Sequence, residues 1–185
     1  MREGPIGPAT DTLLVAKARS GELDAFESIV RARTEAVYRL TFAILGNEAD
    51  ARDATQETFV AAWRHLPRLR EPERFEAWLQ RIAVNAARMT LRARGRRRVR
   101  EIPASAVVLA TQPSQPGPDG DAWVLDRAMR RLPFDQRAIL ALHYLEGRSV
   151  AELGDVLRIP TGTVKSRLFT ARRALDAAIA EEERP

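Results

Sequence analysis

Apolar residues recur at three- and four-residue spacing through most of the chain, and no stretch shows strict alternation bounded by turn signals. That period is the amphipathic helix's and not the strand's, so the pattern predicts an all-α protein. Asp11 caps a first predicted helix that runs to about Ser20 and ends at Gly21. Asp24 caps a second, with Phe26, Val30, Val37, Leu40, Ile44 and Leu45 on its apolar side and Gly46 as its stop. Asn47 opens a third that ends before Pro67, with Phe59, Ala62, Trp63 and Leu66 turned inward. A fourth starts near Pro72, an acceptable first-turn proline, and runs through Met89 toward Gly95. Phe75, Leu79, Ile82, Ala86 and Met89 form its expected core stripe. Residues 99–120 then lose helical periodicity and carry Pro103, Pro113, Pro116 and Pro118 with Gly117 and Gly120, the signature of an extended linker. The expected organisation is therefore a helical domain over 11–98, a flexible linker over 99–120 and a second small helical domain over 121–180.

In that second domain Asp121 begins a helix through Leu132, and Asp135 caps another ending at Gly147. The segment from Arg148 to Leu175 then carries the punctuation of two helices joined by a tight turn. Ser149 is a good N-cap for a short helix with Val150, Leu153 and Leu157 at helical spacing. Gly154 inside it weakens the helix but lets another helix approach closely. Pro160 ends the turn, and Thr161 is positioned to cap the next helix. There Val164, Leu168, Ala171 and Leu175 make an apolar stripe, leaving Lys165, Ser166, Phe169 and Arg172 to face outward. A helix-turn-helix presents its recognition helix to the DNA major groove in this way.

Composition sharpens the picture. The chain has 185 residues, a formal charge of +5 and an isoelectric point near 10.5, which suit a polyanionic partner. It contains no cysteine, so disulfides, thiolate metal sites and thiol switches are excluded. No apolar signal core or membrane-length run is present, and nothing of size follows Glu181, so a cytoplasmic protein without membrane insertion or a fused C-terminal domain is expected. His65 and His143 lie far apart and lack a metal-ligand pattern, and no glycine loop could cradle a phosphate. Both histidines read as surface or satisfied core residues. Neither a cofactor nor catalysis by this chain is expected.

Two polar faces ask for a role. Asp50, Asp53, Gln56 and Glu57 lie three or four apart and share one surface of the third helix. Such a face is either simply solvated or, on an otherwise basic protein, a place for a protein partner. On the fourth helix Arg81, Asn85, Arg88 and Arg92 form a second stripe, which Arg94, Arg96, Arg97, Arg98 and Arg100 extend. Asn85 is able to hydrogen-bond base edges. Two basic surfaces joined by a linker can hold two DNA segments, with the linker setting effective concentration.

Three stretches carry a resemblance: Asp53-Ala54-Thr55-Gln56-Glu57-Thr58-Phe59, Phe75 to Asn85, and Pro160 to Leu168. In this order, split by a Pro-rich linker, they resemble an extracytoplasmic-function (ECF) sigma factor of the bacterial sigma-70 family, over about Ala25–Arg98 and Trp123–Ala178. The resemblance implies that Asp53, Gln56 and Glu57 dock on the beta-prime clamp helices of core RNA polymerase, with the beta flap as a second contact. It implies that the loop of about Leu66 to Arg74, with Arg70 and Arg74, and the following helix, with Arg81, Asn85, Arg88 and Arg92, recognise and melt the minus-ten element. Extruding a base there costs a few kcal/mol, which pocket contacts must return. Trp78 either stacks on DNA or, the commoner fate of a helix tryptophan, packs in the core. Thr161, Thr163, Lys165, Ser166, Arg167, Phe169 and Arg172 would serve the minus-thirty-five element in duplex form. A separate anti-sigma factor is implied as the regulator. Two positions depart from the pattern: Thr170 stands where relatives often carry arginine, and Arg158 where glycine is common. A stand-alone helix-turn-helix regulator binding duplex operator DNA is the alternative reading.

Overall fold

The computed structural model describes residues 8–100 and 120–183 and contains no strand among them. The N-terminal unit holds α1 (Pro8–Arg19), α2 (Leu23–Leu45), α3 (Glu48–His65) and α4 (Phe75–Arg100). The C-terminal unit holds α5 (Gly120–Arg131), α6 (Phe134–Leu140), α7 (Val150–Leu157) and α8 (Thr161–Glu182). The expected linker lies, apart from its ends, outside the described residues.

Punctuation behaves as residue chemistry demands. Gly46 takes the left-handed conformation at φ 65° and closes α2 through its N–H to the Phe42 carbonyl. Asn47 caps α3, its side chain accepting from the Asp50 N–H at 2.9 Å. Aspartates are less obedient. Asp24 and Asp135 sit inside the first turns of α2 and α6, where they favour the helix dipole, while Glu22 and Pro133 occupy the cap positions. Asp11 and Asp121 likewise fall within α1 and α5, which begin one to three residues earlier. Thr161 is the first residue of α8 and Pro160 its cap, so the threonine cap is not formed. Helix α4 continues through Gly95 to Arg100: one glycine costs about 1 kcal/mol, too little to stop a run of good helix-forming arginines.

Buried side chains of α1–α4 surround Leu40, Ile44, Leu66 and Leu79, and those of α5–α8 surround Leu142, Leu153 and Val164. The stripe expected on α4 is half right. Phe75 and Leu79 are buried, but burial then passes to Ala83, Val84 and Ala87, while Ile82 and Ala86 are half-buried and Met89 is exposed. The buried side thus continues from Phe75 and Leu79 through Ala83 and Ala87 in a four-residue step. Trp63 sits at the surface with its ring 4.8 Å from that of Phe26. The two units also pack on one another: α4 meets α7, and α2 meets α5 and α6. Arg130 of α5 lies over Gly46, where an added Cβ would approach its Cγ to 2.9 Å.

Candidate nucleic-acid and docking interfaces

The helix-turn-helix is locked at both ends of α7. The Ser149 hydroxyl accepts from the Glu152 N–H at 3.3 Å, and Glu152 Oε2 accepts from the Ser149 N–H at 2.9 Å, completing a capping box. The Ser149 N–H and then the Ser149 hydroxyl, which donates to Oε2 at 2.7 Å, hold the Glu152 carboxyl well below its ordinary range, at about 2, with Arg148 adding to them. Arg158 ends α7 at φ 55°, ψ 49°, so an arginine occupies the left-handed turn position and the turn closes without glycine. A Cβ on Gly154 would stand 3.0 Å from the Ile159 carbonyl oxygen, so the tight approach is by the turn's own backbone, while α8 comes into ordinary contact through Thr161 Cγ2 at 3.7 Å.

The far side of α8 is open. Val164, Leu168 and Ala171 face the core; Thr161, Lys165, Ser166, Arg167, Phe169 and Arg172 are exposed and Thr163 is half-buried. Lys165, Phe169 and Arg172 share one face at four- and three-residue steps. The Ser166 and Thr170 hydroxyls donate back to the Thr163 and Ser166 carbonyls, each at 3.0 Å. Thr170 therefore offers outward only an acceptor where an arginine would offer charge.

Between α3 and α4 runs a groove of about 890 Å³. Asp50, Asp53, Gln56 and Glu57 form one wall, Asn85 and Arg96 part of the other, and Ile82, Ala86 and Met89 line it between them. Asp53, Gln56, Glu57 and Asn85 are all exposed, whereas Asp50 is paired with Arg94 at 2.9 Å. The basic stripe of α4 spans only about 60° of helix arc, yet it divides. Asn85 borders the groove and Arg92 is exposed, while Arg81 and Arg88 turn toward the C-terminal unit.

That second direction was not legible from the chain. Arg88 pairs with Asp135 at 2.8 Å and lies over the Phe134 ring at 5.1 Å. Burial, and then the Arg158 cation, press the Arg81 pKa downward, while Asp155 opposes them. Beside them Gln80, 4 % exposed, donates to Glu146 Oε2 at 2.8 Å and accepts from Arg148 Nε at 2.8 Å. Burial raises the Glu146 pKa against the pull of Gln80 and Arg148. A glutamine neighbouring Leu79 on the inward side of α4 is the one sequence sign of this contact. A cleft of about 570 Å³ separates the loop bearing Arg68, Arg70 and Arg74 from Glu152 and Asp155 of α7. Leu66 and Leu69 anchor the loop, and Arg19 donates to the Leu69 carbonyl at 3.1 Å. Arg70 and Arg74 are exposed, the latter paired with Glu71 at 2.6 Å. Trp78 is half-buried, 5.7 Å from Phe75 between ring centroids, and also lines the cleft.

His65 is exposed at the groove, and His143 is half-buried with both ring nitrogens engaged. Among the described residues no cluster of acidic or histidine side chains is placed to hold a metal ion, and no helix is long and apolar enough to cross a membrane.

Comparison with known proteins agrees with this layout. Residues 29–97 match Sigma-70 region 2, and residues 123–175 match Sigma-70, region 4. The chain is 34% identical to the RNA polymerase sigma-H factor of Pseudomonas aeruginosa, an alignment covering 91% of this chain and 93% of that one. It is 33% identical to the ECF RNA polymerase sigma factor SigE of Mycolicibacterium smegmatis, covering 91% of this chain and 66% of that protein's length. Among solved structures, CnrH in complex with the cytosolic domain of CnrY matches with a TM-score of 0.69 at 28% identity, covering 92% of this chain and 97% of that one. The chain belongs to the sigma-70 family, and within it to the ECF RNA polymerase sigma factors. A stand-alone operator-binding regulator is not favoured.

Proposed function

We propose that this sigma factor divides its work between the surfaces described. The exposed Asp53, Gln56 and Glu57 dock on the beta-prime clamp helices, and the C-terminal unit meets the beta flap. Residues 11–98 read and open the minus-ten element through Arg70, Arg74, Arg81, Asn85, Arg88 and Arg92. Residues 121–180 hold the duplex minus-thirty-five element through Thr161, Thr163, Lys165, Ser166, Arg167, Phe169 and Arg172, and residues 99–120 span the two. One observation carries the reading: an acidic face on α3 and an outward cationic face on α8 occupy opposite units of one chain, so each can engage a different partner. Polymerase supplies the catalysis; this chain supplies none, and it works in the cytoplasm where polymerase and DNA are.

Arg81 and Arg88 face the C-terminal unit, so reading the minus-ten element requires the units to part. A soluble anti-sigma factor, or the cytosolic domain of a membrane one, would hold them together. The similar CnrH is known in complex with the cytosolic domain of CnrY.

Run-off transcription with core polymerase on a genomic library, followed by sequencing of transcript starts, tests the whole assignment. Specific starts that depend on the added protein support it; none, with tight unaided binding to duplex sites, defeats it. On a promoter so found, Lys165→Ala should weaken upstream recognition and Asn85→Ala strand opening, two defects that permanganate footprinting separates.

A further inference from the structure

The polypeptide between α6 and α7 does not continue α6 as a regular helix. Residues Ala141–Leu145 form a π turn, in which the Glu146 N–H reaches back to the Ala141 carbonyl at 3.2 Å. The wider turn rotates His143 and Tyr144 away from α-helical register, toward the outward face of α8. Such turns are frequent where a side chain must be aimed.

What they meet is Arg172. Its guanidinium lies 5.4 Å from the centroid of the Tyr144 ring, and its Nη2 stands 3.1 Å from His143 Nε2. A guanidinium only donates, so His143 Nε2 accepts, and the ring hydrogen resides on Nδ1. Nδ1 then donates to the Arg148 carbonyl at 2.7 Å. The His143 and Tyr144 rings meet edge to face at 4.8 Å, each fixing the other. Tyr144 is 62% exposed, too open for core packing to explain it. A backbone carbonyl thus holds a histidine, and the histidine and a tyrosine hold an arginine on the face of α8 that also carries Lys165 and Phe169.

We propose that His143 and Tyr144 are positioning residues for Arg172, presenting its guanidinium to the upstream duplex in one orientation. The inference rests on the reading of α8 as the duplex-reading helix. A free arginine side chain samples many rotamers, and one held from behind loses less freedom when it meets a phosphate or base edge. Glu152 of α7 pairs with Arg148, and Glu181 near the end of α8 pairs with Arg131.

The test uses the full chain with core polymerase on a promoter from the library selection, carrying either its own upstream element or a scrambled one. The readout is the ratio of transcript yields on the two templates. Arg172→Ala, His143→Ala and Tyr144→Ala should each lower that ratio by roughly three- to tenfold. The double variant His143→Ala with Arg172→Ala should fall no further than Arg172→Ala alone. Tyr144→Phe keeps the ring face, and His143→Gln keeps an acceptor near the Nε2 position; both should restore most of the ratio. If His143→Ala and Tyr144→Ala leave the ratio intact while Arg172→Ala lowers it, or if the losses add, the positioning role is refuted and the α8 reading survives. If Lys165→Ala and Arg172→Ala both leave the ratio intact, the α8 reading itself is wrong. Should His143→Ala lose helicity, Tyr144→Ala at its exposed site gives the same comparison.

Discussion

Gln80 is the buried polar centre of the contact between the two units, and Gln80→Leu tests what that contact does. Leucine fills nearly the same volume but removes the donor to Glu146 and the acceptor for Arg148, both at 2.8 Å. Arg148 keeps its bond to Glu152 at 2.8 Å, so the loss falls mainly on the Glu146 carboxylate. Leaving a buried polar group without its partner costs about 1–3 kcal/mol. The closed-to-open ratio should therefore fall by roughly 5- to 150-fold at 1.4 kcal/mol per decade. The chain has no cysteine, so Lys17→Cys and Ala177→Cys, at exposed positions in the two units, provide unique dye sites. Single-molecule energy transfer should show a larger low-efficiency population in Gln80→Leu, with tighter binding of a single-stranded minus-ten oligonucleotide as Arg81 and Arg88 come free. The pH dependence has a definite sign. Burial in the folded chain raises the Glu146 pKa above 4.5, so the folded form binds the proton more tightly than the unfolded one. The contribution of Glu146 to folding stability should be greatest in acid and fall as pH rises through that raised value, and Glu146→Gln should abolish this part of the dependence in urea unfolding. Identical distance distributions and oligonucleotide affinities for wild type and Gln80→Leu would refute the argument.

Charge reversal at the exposed Asp53 or Glu57 should abolish capture by core polymerase while changing stability by no more than about 0.5 kcal/mol, measured by pull-down and urea unfolding. Ser149→Ala should cost about 1 kcal/mol in urea unfolding at pH 7 through loss of the capping box. Because folding lowers the Glu152 pKa to about 2, that carboxylate stabilises the fold above pH 4.5 and ceases to as pH falls toward 2; in Ser149→Ala this acid-sensitive part should shrink. The Glu152 side chain is 44% exposed, so the effect is screened well below the full worth of the shift. Arg158→Gly relieves a left-handed arginine at φ 55° and should raise stability by about 0.5 kcal/mol after glycine's entropic cost, read as a higher melting temperature; a decrease would mean the side chain is needed in the cleft.

The order and ends of the helices were written locally. Gly46, Asn47 and Ser149 act within four residues of themselves, and the four- and three-residue steps of Val164, Leu168 and Ala171 fix which side of α8 is buried whatever lies beyond it. The candidate docking and duplex-reading faces were legible for the same reason, since a helical period assigns every residue a side. Two things could not be read in this way. Met89 leaves the core although it fits the apolar stripe, because burial follows Ala83, Val84 and Ala87 on the neighbouring side of α4 and leaves Met89 in the open groove beside α3. The split of the basic stripe, with Asn85 in one groove and Arg81 and Arg88 against the other unit, depends on partners 47 or more positions distant, as Arg88 and Asp135 are. Periodicity sorts residues around one helix axis; it carries no information about which surface comes to rest against that side, and that is settled only when separate stretches of chain pack and exclude water between them.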